Sequence, residues 1–363
     1  MEPRIQWLGL KTVPGVGNRL FLNLIQHFGE PDKVFSASRG ELLQVEGIND
    51  RLVSAVQHYK IPKKVEEDLS LAQKSGVRIL TFADPDYPTL LRHIHDPPPV
   101  LYVYGKLHPD SLNIAIVGSR NATPYGLTVT ERLSGDLARR GFTVVSGMAR
   151  GIDSAGHRGA LAAGGKTIAV LGCGLGTIYP AENKKLFHRI AENGAVVSEF
   201  PFLTSPEAHN FPARNRIISG LSLGAVIVEA THQSGSLITA RLAAEQGREV
   251  FAVPGSVTSF KSMGTHRLIK EGAKLVEHVD DIVEELNIGQ PMASANIKEE
   301  PDILLTPEEK RLVDELSPYP VHIDKLVRRL SLSAAQVSGL LLQLELKGLV
   351  TQSPGKLFAR SEP

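Results

Sequence analysis

What this chain of 363 residues has little of narrows its chemistry first. Cys173 is its one cysteine, which excludes a disulfide framework and a cysteine-based zinc site and fits a reducing compartment. The formal net charge is only +1, so there is no general basicity on which indiscriminate nucleic-acid binding could rest. No apolar run approaches the roughly 18 residues of a membrane span. The N-terminal MEPRIQWLGLKTVPGVG lacks the basic start and continuous apolar stretch of a signal peptide. Together these absences predict a soluble, cytoplasmic protein with no membrane partner.

Catalytic groupings are equally sparse. The 12 histidines are scattered without an HExxH or comparable pair, so no metal is expected. Residues 160–167, ALAAGGKT, approximate the phosphate-binding loop of nucleotide triphosphatases, but Ala160 replaces its first glycine. The run also closes a helical stretch and precedes a strand, the reverse of that loop's context. Gly172-Cys173-Gly174-Leu175-Gly176 follows a strand, yet Thr177 stands where a dinucleotide fingerprint has its third glycine. Those glycines read instead as permitting a tight turn and the close approach of a ligand or neighbouring chain. No cofactor and no catalytic residue is expected. Cys173 reads as a small buried residue at a strand end. Glu199 and Glu229, also near strand ends, suit an acid or base, or equally an acceptor that orients an arginine or backbone amides.

What is present is a series of apolar runs ending in small, polar or glycine-rich loops. NIAIVGSR from Asn113, FTVVSGMARG from Phe142, TIAVLGCG from Thr167 and AVVSEF from Ala195 each read as a buried strand followed by a loop and a helix. VRILTF and PVLYVYG add strands before them, and AVIVEA, EVFAVPG and KLVEH after them. This predicts an α/β fold: a doubly wound, mostly parallel sheet with right-handed crossovers and helices on both faces. Ligands of such sheets lie beyond the carboxyl ends of the strands, where loop amides and helix N-termini favour anions. The loops here carry Arg120, Arg150, Arg214 and Arg216. From Ser111 to Gly220 there are 12 Lys and Arg against 7 Asp and Glu, so positive charge gathers where an anion, phosphate above all, would bind.

The chain divides into an N-terminal helical domain (1–70), the α/β core (71–286), a linker (287–302) and a C-terminal domain (303–363). In the first, Pro14-Gly15-Val16-Gly17 resembles a helix-hairpin-helix turn, with a degraded second copy at Val45-Glu46-Gly47-Ile48. Such a turn either aims amides at a DNA phosphate or simply packs two helices. Between the first two strands, the prolines of ADPDYPTLLRHIHDPPP are expected to exclude regular structure. The tail begins with Thr306-Pro307, a helix start. Helices around EKRLVDELS, IDKLVRRLS and SAAQVSGLLLQLELKG, followed by strands at LVTQS and KLFAR, match the order of a winged helix. Its recognition helix carries little beyond Lys347 that could reach DNA, so a protein partner suits it at least as well.

The runs DPPPVLYVYG, IVGSRNATPYG, SGMARGIDSAGHRGAL, GLGTIYPAEN, SEFP, FPARNRIISGLS, SGSLITARLAAEQGREVFAVPG and HRLIKEGA occur in that order. Over nearly its whole length the chain thereby resembles the DprA, or Smf, family of DNA-processing proteins. The resemblance implies an N-terminal helical domain of helix-hairpin-helix or SAM type, an extended Rossmann-like core that binds single-stranded DNA, and a winged-helix-like tail. It also implies a homodimer formed through the core, and loading of the RecA recombinase on incoming DNA during natural transformation, without enzymatic turnover. Gly156 and His266 depart from the family pattern, with consequences for local packing only.

On this reading Gly118-Ser119-Arg120 lets the backbone approach a phosphate, donates from serine and grips two oxygens with arginine. Phe211, Arg214, Asn215 and Arg216 in FPARNR offer a ring for a base and guanidiniums for the backbone, or equally Phe211 anchors the core and one of the two arginines faces inward. Gly147 and Arg150 in the next strand-end loop, Asn183 and Lys184 at a helix start, and Ser234-Gly235-Ser236 at another complete the expected DNA-binding set. Two rivals remain. A phosphoribohydrolase-like enzyme would need a PGGxGT loop, where this chain has VPGSVTS. A protein-binding adaptor would have only vestigial DNA contacts.

Overall fold

The structure, a computed structural model, describes residues 3–287, 305–316, 320–353 and 355–360. Most of the segment read as a linker, from 288 onward, lies outside them. The chain falls into two compact units divided after Ala295.

The first unit is built on a nine-stranded sheet. Its strands are β1 (Arg78–Thr81), β2 (Val100–Gly105), β3 (Asn113–Gly118), β4 (Thr143–Ser146), β5 (Thr167–Val170), β6 (Gly194–Ser198), β7 (Gly224–Val228), β8 (Glu249–Ala252) and β9 (Lys274–Leu275). The spatial order is β1-β2-β6-β5-β4-β3-β7-β8-β9. From β6 to β9 every pairing is parallel, while β2 runs antiparallel to both β1 and β6. Central strands such as TIAV and GAVIV are buried at every position. That accounts for their unbroken apolar sequence, since helices cover both faces of a parallel sheet.

The chain winds outward from β3 through β4, β5 and β6, then returns to place β7 on the other side of β3. The order therefore reverses between β3 and β7, and a crevice opens there beyond the strand ends.

The residues before β1 form helices, among them Pro3–Lys11, Asn18–Phe28, Asp50–Gln57 and Lys63–Lys74. Trp7, Leu10, Phe21, Leu24, Val53 and Leu69 share one buried cluster with Tyr102, Val196 and Leu171 of the sheet region. The helical layer is thus continuous with one sheet face. Gly15 and Gly47, in the two similar turns, adopt the same left-handed backbone with φ of 87°, a conformation that glycine reaches without steric cost. Between β1 and β2 one correction is needed, because Thr89–Arg92 forms a helical turn where proline was expected to forbid regular structure. Pro88 precedes that turn and Pro97, Pro98 and Pro99 lie beyond it, so none removes a hydrogen bond inside it.

The second unit has helices Pro307–Glu315, Ile323–Leu330 and Ala334–Leu346. Thr306 and Glu309 form a reciprocal capping box at the first. A three-stranded antiparallel sheet, rather than a two-stranded hairpin, joins β10 (Val321–His322), β11 (Val350–Ser353) and β12 (Leu357–Arg360) in the order β10-β12-β11. The extra strand is two residues long, too short to leave an alternating pattern. Lys347 binds Glu309 at 2.7 Å, so the one cation expected on the recognition helix is held against its own domain.

Candidate nucleic-acid interface

A cleft of about 620 Å³ occupies the switch point. Val117 to Asn121 at the end of β3, Thr231 and Ser234 to Ser236 after β7, and Phe211, Pro212, Arg214 and Asn215 on the helix Asn210–Gly220 all line it. The two strand ends meet closely: a methyl group on Gly118 would lie 1.8 Å from the Val228 carbonyl oxygen. Only glycine fits there, which gives the first residue of GSR a packing reason. Glu229, next after β7, has φ of 52°, unusual for a residue with a side chain. Its carboxylate accepts from the Thr123 amide at 2.9 Å and from the Thr123 hydroxyl. Of the two roles open to Glu229, the structure thus gives it the orienting one, pinning the loop after β3.

The four arginines expected in the loops have different fates, and two of them, Arg214 and Arg216, lie on the helix Asn210–Gly220. Arg120 is exposed, has no carboxylate partner among the described residues, and holds its guanidinium 5.5 Å from the Phe211 ring centre. Arg150 is exposed but paired with Glu182, with Nη2 at 2.9 Å from Oε2, and does not line the cleft.

Arg214 lines the cleft yet is only 4% exposed. It donates to the Gly147 carbonyl at 2.8 Å and to the Val170 carbonyl, while its Nε finds no partner. Burial pushes its pKa down to about 10, opposed by the nearby Asp153 carboxylate. Asp153 is itself buried, which raises its pKa against the pull of Arg214 and of the Gly147 and Ala149 amides.

Arg216 points elsewhere. It makes a two-pronged bond to Glu199 at 2.7 Å and another to Asp96 at 2.9 Å, and does not line the cleft. Burial lowers its pKa, and the two carboxylates more than reverse that. Both guanidiniums of FPARNR are thus held by partners within the protein. Two residues apart, they leave the helix on roughly opposite faces, one onto strand-end carbonyls and one onto acids, because protein packs against both.

The remaining expected residues are split as well. Ser119, Gly118, Asn215, Ser234, Gly235 and Ser236 are gathered in the cleft. Ser234 caps the helix Gly235–Glu245, whose N-terminus opens into it. Gly147 packs against Arg214: a methyl group there would come 2.3 Å from a guanidinium nitrogen. Asn183 donates to the Met148 carbonyl at 2.8 Å and the Ser154 hydroxyl at 2.9 Å, so it braces a loop; it and the exposed Lys184 lie outside the cleft lining. The glycines of the loop after β5 serve close approach of chain, since a methyl group on Gly174 would lie 2.2 Å from the Pro201 carbonyl oxygen. The Cys173 thiol is buried, and its pKa is pushed up to about 11. Sequence reasoning missed Asp153 and Tyr179 as cleft residues. Their signals were an acid just after MARG and an aromatic in the loop after β5.

This arrangement can hold a phosphate between an exposed arginine, serine hydroxyls and a helix N-terminus. Comparison with known proteins gives it a family. The family model of DNA recombination-mediator protein A matches residues 78–287, and that of the DprA winged helix domain matches 297–356.

The chain belongs to the DprA family.

Protein Smf of Synechocystis is 36% identical over 98% of both chains. The crystal structure of DNA processing protein A (DprA) from Streptococcus pneumoniae superposes with a TM-score of 0.69 at 35% identity, covering 80% of this chain and 99% of that one. DNA processing protein A from Helicobacter pylori, whose structure is described for its single-stranded DNA binding mode, gives 0.53 at 33% identity over 58% of this chain and 95% of that one. The sheet with its winged-helix unit is thus the DprA architecture, and the family's DNA-processing role applies to this chain. Among the described residues no helix is long and apolar enough to cross a membrane.

Proposed function

We propose that this DprA-family protein binds single-stranded DNA at the β3/β7 cleft and acts as a recombination mediator that delivers RecA, without chemical turnover. The observation that carries this reading is Arg120, an exposed guanidinium at the switch point that no carboxylate hydrogen-bonds among the described residues, in a cleft shared with aromatic rings and a helix N-terminus. Phosphate contact plus stacking recognises a strand without reading its sequence. The Helicobacter relative, described as binding single-stranded DNA, supports the same ligand. The acid in the cleft, Asp153, is buried against Arg214 and two amides, a structural use that speaks against a hydrolytic reading.

Few cations line one cleft, so a homodimer would gain affinity by joining two. Val257 (88% exposed), Met263 (44%) and Leu275 (39%) border one groove, which supports self-association of the core there. Val257→Glu is expected to lower the sedimenting mass if that groove forms the dimer. In the winged-helix unit, exposed Leu342 and Leu346 on the helix Ala334–Leu346 favour a protein partner.

The decisive test is binding of a labelled oligonucleotide, single- against double-stranded, across a salt series. Wild type should prefer single strands, and Arg120→Ala should bind more weakly with a log–log salt slope flatter by about 0.7, the share of one phosphate contact. No binding of single strands by the wild type would refute the reading.

A further inference from the structure

The ring that the sequence singles out for stacking, Phe211, is hemmed in. Arg120 lies 5.5 Å and Arg214 5.9 Å from its centre. Gly172 approaches so closely that a methyl group there would be 2.9 Å from the ring. Phe211 is accordingly half-buried. Tyr179 is different. It lines the same cleft, is 44% exposed, and its ring centre is 5.7 Å from that of Phe211 at an interplanar angle of 50°. Among the described residues its hydroxyl has no hydrogen-bond partner. Beyond its contact with Phe211, the ring leaves apolar surface open in the cleft that Arg120 also lines, and a nucleobase would cover it.

Resting on the single-strand reading, we infer that Tyr179, braced by Phe211, is the surface on which a base of the bound strand stacks, with Arg120 on an adjoining phosphate. Phe211 acts as a positioning residue: its ring sets the tilt of Tyr179 and holds Arg120 over the cleft.

The test compares two probes of equal length, an oligothymidylate and the same backbone with every base replaced by an abasic tetrahydrofuran unit. Tyr179→Ala is expected to weaken oligothymidylate binding by about 5- to 150-fold, the range of one stacked base. Binding of the abasic strand should be unchanged. Tyr179→Phe should behave like wild type on both probes, showing that the fold survives substitution and that the ring suffices. Arg120→Ala should weaken both probes. The inference is overturned if Tyr179→Ala leaves oligothymidylate binding intact, or weakens the two probes equally. It is also overturned if Phe211→Leu shows the base-dependent loss while Tyr179→Ala does not. If wild type binds neither probe, the single-strand reading itself falls, an outcome distinct from all of these.

Discussion

Replacing Arg214 by alanine should test whether the second arginine of the cleft is structural. Its guanidinium serves the Gly147 and Val170 carbonyls and faces Asp153 from a nearly waterless position. Truncation leaves both carbonyls without that donor and Asp153 without its counter-charge. A buried acceptor stripped of its partner costs about 1–3 kcal/mol. Breaking a buried charge pair costs about 3–5 kcal/mol, and the two figures overlap because they count some of the same atoms. We therefore expect Arg214→Ala to lose about 3–5 kcal/mol in urea unfolding, a large part of the roughly 5–15 kcal/mol typical of a folded domain. Arg214→Ala combined with Asp153→Asn should recover part of that loss, since it removes the stranded charge. Arg214→Lys, which keeps the charge, should leave the salt slope of DNA binding unaltered where Arg120→Ala flattens it. A loss below about 1 kcal/mol, with no recovery in the double variant, would refute the structural assignment.

Two further outcomes are expected. His157 is fully buried with its Nδ1 2.7 Å from the Thr167 hydroxyl, and burial lowers its pKa to about 3. The unfolded chain takes up this proton below about pH 6.5 and the native one does not, so the stabilisation is complete above that pH. It falls by about 1.4 kcal/mol per unit down to about pH 3. Urea unfolding at pH 7 and 5 should show His157→Asn losing about 2 kcal/mol less than wild type over that interval. Gly156 lies inside the helix Ile152–Ala162, and a methyl group there would sit 3.6 Å from Ile116 and Ser134, an ordinary contact. Gly156→Ala should raise stability by about 0.5–1 kcal/mol, read as a higher thermal midpoint.

Much of the fold was legible because burial on both faces of a parallel sheet demands continuous apolar runs, and those of Ile114 to Val117 and Ala225 to Val228 are unmistakable in any register. The short strand Val321–His322 and the turn Thr89–Arg92 were not, because elements of two to four residues carry no period. Gly118, Ser119 and Arg120 could be placed at the site because a strand end followed by a loop is a local matter. Arg150, Arg214 and Arg216 could not be told from Arg120 by their neighbours in sequence. Their partners come from afar: Glu182 lies 32 positions along from Arg150, and Asp96 lies 120 positions back from Arg216.

The sequence by itself therefore determined the layers of this protein and the strand-end loops that line the cleft, since these follow from local patterns of apolarity and glycine, and its ordered motifs determined the family. Which guanidinium stays open to a phosphate, and that Tyr179 rather than Phe211 carries the exposed ring, were decided only by the tertiary structure. Strand order and helix facing choose which distant carboxylates and carbonyls reach each arginine, and an arginine already desolvated and paired has no charge left to offer a ligand.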